Sequence, residues 1–257
     1  MHRFVPVLIA LLLAGCAAAP TEDLVWSAPL ARSLRPESGE AVEVARFSRL
    51  PAGPVGKPWE PFLVLRGNVP TTYEVVSMDG AMVLSSDSEE GGSGLYRKIR
   101  IDLKRHPVVE WRWQVPPPDE RGSPLRVASR ASPMARLSLA FDGDTEKLDF
   151  EDRTKLRLAK VLTVNGLPYA SLLYVWMYGA PVDTVVHSPH TDRVRMIVVE
   201  SGAKRIGEWV AVRRNVLEDY RRAFGEEPGH IVAVGLMTDP GDDGSRRRAF
   251  YGDITFR

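Results

Sequence analysis

The chain has 257 residues, of which 44% are hydrophobic and 26% are charged, so one globular domain of the larger β type can account for it. The formal net charge is +1, and residues 246–248 are the only run of three basic residues, which argues against nucleic acid as a partner. The single cysteine, Cys16, excludes an internal disulfide.

The N-terminal segment reads MHRFVPVLIALLLAGC. Arg3 supplies a short positive region, and Phe4 to Leu13 form an apolar stretch of about ten residues, too short to cross a bilayer of about 30 Å as a helix. The small residues before Cys16 resemble a bacterial lipobox, in which the cysteine is lipidated and becomes the new N-terminus. Against the alternative of a buried apolar helix, the pattern favours a lipoprotein signal peptide over residues 1–16.

The lipobox resemblance implies acyl chains such as palmitate on Cys16, which makes the membrane a partner. Because residue 17 is alanine and not aspartate, it also implies sorting to the outer membrane of a Gram-negative cell, with the protein facing the periplasm. Residues 17–42 are rich in Ala, Pro and Ser without a sustained period, which is typical of a flexible tether. A single folded domain is expected over residues 43–257.

Short apolar or alternating runs, separated by turn signals, fill that domain. In chain order they are PFLVLRG, TTYEVVSMDG, AMVLSSDS, GLYRKIRIDL, VVEWRWQV, ARLSLAF, SLLYVWMYG, VRMIVVESG, EWVAVRRN, HIVAVGLMTD and AFYGDITF. Asp79-Gly80 between two of them is a favourable hairpin dipeptide. About ten strands with few helices predict an antiparallel β-sandwich of the jelly-roll type, because a parallel α/β fold would need a helix between most strands.

Two short helices are predicted among these strands. The clearer one spans Asn215–Phe224, where Asn215 is a good N-cap, Glu218 has the capping-box spacing and Gly225 can take the left-handed position at the end. A weaker pattern predicts a second helix over residues 150–162. The fold class is therefore mainly β with one or two short helices.

The strand EWRWQV has two faces of different chemistry. In an extended strand Trp111 and Trp113 share one face, and Glu110, Arg112 and Gln114 share the other. Two interpretations stay open. Either the tryptophans pack in the core and the polar residues face water, or one face lines a ligand groove, with the arginine and the glutamate recognising hydroxyl groups or the tryptophans stacking on sugar rings.

The strand LLYVWMY raises the same question. Tyr174, Trp176 and Tyr178 share a face, and aromatic residues at alternate strand positions mostly pack in cores. Trp176 nevertheless stays a candidate ligand contact, and Arg193 farther along the chain is another.

Known catalytic and metal-binding patterns are absent. The chain contains no G-x-S-x-G, no P-loop and no dinucleotide-binding glycine pattern. HSPHTDR offers His187, His190 and Asp192, but the proline between the two histidines indicates a loop and not a zinc-binding helix.

The segment DPGDDG near the C-terminus carries Asp239, Asp242 and Asp243. Hard carboxylate oxygens in a glycine-bearing loop suit calcium, but the spacing is not that of an EF-hand, and Asp, Pro and Gly are also common turn residues. The prediction is therefore no cofactor, with Ca²⁺ as a minor alternative and Asp239 as a candidate ligand contact.

Asp253 differs because it lies between Gly252 and Ile254 in a predicted strand. A buried acid needs a partner, and Arg112, Arg193 or Arg195 could supply one. Asp253 is therefore a candidate site residue.

Several motifs in order resemble one bacterial family, called domain of unknown function 3047, over residues 45–257. They are EWRWQVP, LLYVWMY, HTDRVRMIVVESG, GEWVAVRRNVLEDYRRAFGEEP, IVAVGLMTDPGDDG and FYGDITF. The resemblance implies no established activity, a secreted or lipid-anchored protein, and a fold like the galactose-binding-like jelly rolls of many carbohydrate-binding modules, which is an analogy of fold alone. Other members tend to have Asn-Pro-Tyr-Thr where this chain has Ser-Pro-His-Thr at residues 188–191.

Three functions stay open at this point. The favoured one is a non-catalytic envelope module that binds a glycan, with contacts from Arg112, Trp176, Arg193 or Asp239. A polysaccharide hydrolase would use two carboxylates about 5–10 Å apart. The candidate acids are Glu110, Asp239 and Asp253. A structural or assembly lipoprotein with no small ligand is the third.

Overall fold

The computed structural model describes residues 40–63, 70–89, 92–117, 133–154, 167–189, 191–238 and 246–257. The strands in these ranges are β1 (Val42–Ala45), β2 (Gly53–Pro54), β3 (Trp59–Leu63), β4 (Thr72–Met78), β5 (Ala81–Ser88), β6 (Ser93–Ile101), β7 (Val108–Gln114), β8 (Ala135–Phe141), β9 (Ala170–Met177), β10 (Val185–His187), β11 (Val194–Ser201), β12 (Val210–Asn215), β13 (Ile231–Met237) and β14 (Arg247–Phe256). Helix α1 spans Val216–Phe224, and 3₁₀ turns span Phe47–Arg49 and Thr145–Lys147.

The strands form two seven-stranded sheets with a core between them. Sheet A has the order β12-β7-β14-β5-β4-β2, with β1 also paired to β14, and sheet B has the order β10-β11-β9-β8-β13-β6-β3. Neighbouring strands are antiparallel except for the parallel pair β9 and β11, within the described ranges. The chain crosses between sheets after β2, β3, β5, β6, β7, β11, β12 and β13, which is the wrapped connectivity of a jelly roll. The predicted β-sandwich is confirmed.

The hairpin predicted at Asp79-Gly80 joins β4 to β5. Met78 pairs with Ala81, and the two turn residues have φ values of 53° and 76°. Two positive φ angles define the turn type that matches the twist of a two-residue hairpin, and glycine adopts such an angle without steric cost.

Aromatic side chains fill the core between the sheets. Trp111 and Trp113 of β7 point inward, and their ring centroids lie 5.3 Å apart in an edge-to-face arrangement. The ring centroid of Trp111 lies 5.3 Å from that of Tyr174 of β9, and the ring centroid of Trp113 lies 6.3 Å from that of Trp176. The core interpretation of the two β7 tryptophans is therefore confirmed, and the alternate residues of β7 lie on the outer face of sheet A.

Both faces of β9 are buried. Leu172, Tyr174 and Trp176 pack between the sheets, whereas Leu173 and Val175 belong to a second apolar cluster. Because side chains alternate along a strand, this second cluster lies on the opposite face of sheet B.

Strand β14 is long and irregular. Its first half pairs with β5 and its second half with β1, while β7 lies along its other edge. The pairing with β7 shifts between Tyr251 and Ile254, so Gly252 and Asp253 together oppose the single residue Arg112. Such a bulge changes the direction of the side chains around it. Here it places Asp253 on the outer face of sheet A beside Arg112.

Helix α1 has the caps that the sequence predicts. The Asn215 side chain accepts a hydrogen bond from the Glu218 backbone N–H at 3.2 Å, and Gly225 has a φ of 70° and donates its N–H to the Arg221 carbonyl at 2.8 Å. The helix begins one residue later than predicted because Asn215 still belongs to β12.

A buried polar network attaches α1 to the sandwich. Asp219 is 5% exposed and accepts hydrogen bonds from the Tyr174 hydroxyl at 2.9 Å, from Arg214 at 2.7 and 2.8 Å, and from Arg222 at 3.2 Å. Burial, with Asp219 next in importance, raises the pKa of Tyr174 well above its ordinary value. The tyrosine therefore stays protonated and keeps donating to the carboxylate.

Residues 150–154 are helical, and the rest of the second predicted helix lies outside the described residues. The predicted signal peptide and most of the predicted tether also lie outside them. Among the helices of the described ranges, none is both long enough and apolar enough to cross a membrane.

Candidate ligand-binding site

A groove with a volume of about 520 Å³ lies on the outer face of sheet A. Strands β7, β12 and β14 form its floor, the start of β5 contributes one side, and the turn after β1 contributes another. Its polar lining consists of Ser48, Glu110, Arg112, Arg213, Asp253 and Thr255. Small-molecule sites have volumes of about 300–1,000 Å³, so the groove is large enough for a ligand of that class.

Arg112 is exposed, but two contacts hold its side chain in place. The guanidinium carbon lies 4.6 Å from the centroid of the Trp209 ring, a cation–π arrangement. The side-chain stem lies over Gly252, since a Cβ at that glycine would come within 2.5 Å of the Arg112 Cγ. No hydrogen bond or ion pair of the Arg112 side chain occurs within the described ranges, and its guanidinium N–H groups therefore stay available to a ligand.

Asp253 is half-buried and has Ser48 as its partner. Its Oδ1 accepts the Ser48 backbone N–H at 2.9 Å, and its Oδ2 accepts the Ser48 hydroxyl at 2.5 Å. None of the three arginines considered as its partner pairs with it in the described ranges: Arg193 binds Glu226, Arg195 binds Asp192, and Arg112 forms no ion pair. Each oxygen of Asp253 keeps accepting capacity for a ligand.

Trp209 contacts the groove residue Arg112. It precedes β12, its ring lies against the Arg112 guanidinium, and its indole Nε1 donates to the Asp79 carboxylate at 3.4 Å. Asp79 belongs to the β4–β5 turn, so the indole links the segment before β12 to that turn. The ring therefore orients Arg112.

Glu110 lines the same groove as Arg112 and Asp253. Arg257 donates to its Oε2 at 2.8 Å and Arg213 donates to its Oε1 at 3.1 Å. The hydrogen bond from Arg257, followed in importance by that from Arg213, holds the pKa of Glu110 below its ordinary value. Glu110 is therefore an ionised carboxylate shared by two cations.

Removing the Arg257 side chain is expected to raise the pKa of Glu110 toward its ordinary value. The hydrogen bond that stabilises the ionised form would be lost, although Arg213 would remain. A carbon-detected NMR titration of the Glu110 carboxyl in Arg257→Ala measures this change. Arg105→Ala, at another exposed arginine, is the control and should leave the titration unchanged. An identical Glu110 titration in Arg257→Ala would contradict this assignment.

Two other predicted contacts lie elsewhere. Trp176 is 0% exposed in the core, so the structure leaves it no surface for a ligand, and its predicted contact role does not fit this placement. The Arg193 guanidinium donates to Glu226 at 2.5 Å and lies 4.2 Å from the Tyr169 ring centroid, where it joins the loop before β11 to the segment after α1. Neither residue lines the groove.

Five further candidates lie outside the described residues: Cys16, His190, Asp239, Asp242 and Asp243. The described residues contain no cluster of three or more His, Cys, Asp or Glu side chains that could hold a metal ion.

Sequence reasoning missed Ser48, Trp209, Arg213 and Arg257 as parts of the site. Pairing with β7 could have suggested Arg213, because EWVAVRRN is a predicted strand and Arg213 opposes Glu110 in the register. Nothing in the sequence signals Ser48, which is 205 residues from Asp253.

Comparison with known proteins finds a matching family and several solved structures of low similarity. A family model described as "Protein of unknown function (DUF3047)" matches residues 57–255. No curated protein has a significantly similar sequence.

Two of the similar solved structures come from carbohydrate-active proteins. The family 11 carbohydrate-binding module of the cellulosomal cellulase Lic26A-Cel5E of Clostridium thermocellum is 9% identical, with a TM-score of 0.42 over 86% of this chain and 95% of that one. Endoglucanase 3 of Trichoderma harzianum, from family GH12, is 10% identical, with a TM-score of 0.39 over 80% of this chain and 93% of that one. Because the sequence identities and the TM-scores are low, no activity is transferred from either protein to this chain.

Proposed function

Because the chain belongs to the family described as "Protein of unknown function (DUF3047)", whose description assigns no activity, we propose a function from the groove itself: the protein is a non-catalytic glycan-binding module. One observation carries this proposal. A fixed donor, Arg112, and a fixed acceptor, Asp253, line one groove without forming an ion pair with each other. A ligand that bridges them must present both acceptors and donors.

Sugar hydroxyl groups meet that requirement, since each hydroxyl both donates and accepts. Ser48 and Thr255 add hydroxyl groups of their own, and Met82 and Ala211 add apolar surface to the same groove. Ligand sites commonly combine an apolar lining with a few polar groups that fix orientation. The composition of the groove therefore supports a saccharide as its ligand.

A polysaccharide hydrolase acting through Glu110 and Asp253 is the second candidate, because both carboxylates line the groove. Glycoside hydrolysis needs one carboxyl group with a raised pKa that can act as the general acid. Arg257 and Arg213 instead lower the pKa of Glu110. Glu110 is therefore unsuited to the general-acid role, and the hydrolase stays the second candidate.

The proposal is tested by titrating the detergent-solubilised full chain with a panel of envelope oligosaccharides in a calorimeter. At least one saccharide class should bind, and Asp253→Ala should weaken that binding about tenfold, because it removes a charged acceptor. Glu74→Ala, an exposed acid on the same sheet but outside the groove, is the matched control and should bind normally. Absence of binding across the panel would contradict the proposal and favour an assembly role, while release of reducing ends would favour the hydrolase.

We also propose that Cys16 is lipidated and holds the protein at the outer membrane, facing the periplasm. The proposal is supported by the apolar stretch and the small residues that precede Cys16. Metabolic labelling with a palmitate analogue and membrane fractionation test it. Label should appear in the wild type and be absent from Cys16→Ser, and unlabelled wild-type protein in the soluble periplasmic fraction would contradict it.

A further inference from the structure

The sign of the charge in the groove points to a narrower class of ligand than a neutral sugar. Two arginines and two acids line the groove, and Arg257 reaches Glu110 from beside it. Glu110 is thus one anion bound by two cations, Arg213 and Arg257. With Arg257 counted, three cations therefore lie at the groove beside two anions.

Among the arginines of the groove, Arg112 is the one whose guanidinium forms no ion pair or hydrogen bond with a carboxylate of the described residues. Arg213 and Arg257 are ion-paired with Glu110, whereas the Arg112 side chain lies against the Trp209 ring and the Gly252 backbone within the described ranges. Asp253, the other acid of the groove, is bound by Ser48. An arginine held by an aromatic ring keeps its planar fork of N–H donors in one orientation, which suits bidentate recognition of a carboxylate.

We propose that the groove selects acidic glycans, and that Arg112 binds the carboxylate of a uronic acid residue in a bidentate manner. This inference rests on the proposed glycan-binding function. A phosphate would also match the guanidinium fork, but it carries a charge of about −1.5 to −2 near neutral pH. Asp253 in the same groove repels a dianion more strongly than a monoanion, which favours the carboxylate.

Asp253 then has a defined part in binding. With its oxygens oriented by Ser48, it accepts hydrogen bonds from ring hydroxyls of the same saccharide, while the carboxylate pairs with Arg112. The two fixed groups therefore distinguish a uronic acid from a simple carboxylic acid, which has no hydroxyls to offer, and from a neutral sugar, which has no carboxylate.

The test compares oligogalacturonate, oligomannuronate and glucuronate-containing oligosaccharides with their neutral counterparts of equal length and with a sugar phosphate, by calorimetry on the full chain. We expect at least one uronate to bind about tenfold or more tightly than its neutral counterpart, with affinity that falls as salt rises. Arg112→Lys keeps the charge but loses the fork and should weaken uronate binding about tenfold, and Arg112→Gln should remove the preference for uronate. Arg105→Gln, at an exposed arginine outside the groove, should behave as the wild type.

Each other outcome has a separate meaning. Equal affinity for uronate and neutral oligosaccharides would overturn the inference and leave the glycan-binding function standing. Tighter binding of a sugar phosphate than of any uronate would overturn the choice of carboxylate. Failure of every saccharide to bind would overturn the glycan-binding function itself, and this inference with it. Circular dichroism of each variant shows whether a loss of binding comes from a loss of fold.

Discussion

Replacement of Asp219 by alanine is expected to lower the free energy of unfolding by about 3–5 kcal/mol, because it leaves buried partners without their acceptor. The carboxylate is 5% exposed and receives two hydrogen bonds from Arg214 and one from Tyr174. In the variant the Arg214 guanidinium keeps only Asp183 as a carboxylate partner within the described ranges, at 2.6 Å. The loss should also loosen α1, which this network attaches to the sandwich.

Urea unfolding followed by tryptophan fluorescence measures the change, because Trp111 and Trp176 lie in the core. Arg222→Ala removes a partner of the same carboxylate whose side chain is 43% exposed, and it should cost less than about 1 kcal/mol. Equal losses in the two variants would contradict the view that the buried part of the network carries the stability.

Replacement of Gly252 by alanine is expected to weaken ligand binding about tenfold with little change in stability, because a methyl group there displaces Arg112. The new Cβ would lie 2.5 Å from the Arg112 Cγ and 2.8 Å from its Nε, closer than such atoms can approach. The φ angle of Gly252 is not in the left-handed region, so alanine fits the backbone itself. The exposed arginine side chain moves instead and leaves the Trp209 ring.

A double-mutant cycle measures whether Arg112 transmits this effect. Affinities are compared for the wild type, Gly252→Ala, Arg112→Ala and the double variant. Alanine at 252 should have no further effect once Arg112 is absent. An undiminished loss in the Arg112→Ala background would mean that Gly252 acts through the groove floor and not through the arginine.

Local patterns in the sequence were sufficient to predict most of sheet A. Alternation along EWRWQV separates the inward tryptophans from the outward Glu110 and Arg112, since neighbouring side chains of a strand point to opposite faces. The Asp79-Gly80 turn and the caps of α1 depend on residues within a few positions of one another, and they were predicted for that reason.

The same reasoning failed where both faces of a strand are buried or where partners are far apart. All eight residues of β9 are buried, so alternation could not show whether Trp176 faces the core or a ligand. The Asp253–Ser48 contact joins residues 205 positions apart, and it depends on a bulge in β14 that no local residue pattern specifies. The sequence therefore predicted only part of the candidate site, namely Arg112, Glu110 and Asp253.

The central claim is that the groove on the outer face of sheet A binds a saccharide between Arg112 and Asp253. The most direct measurement is a two-dimensional NMR titration of the isotopically labelled full chain with an oligouronate. We predict that the largest shifts occur at the Trp209 indole N–H, the Arg112 Nε–H and the backbone amides of Ser48 and Gly252. Shifts that cluster instead around Asp87 and Arg246, which line a separate depression on the same sheet, would contradict the claim.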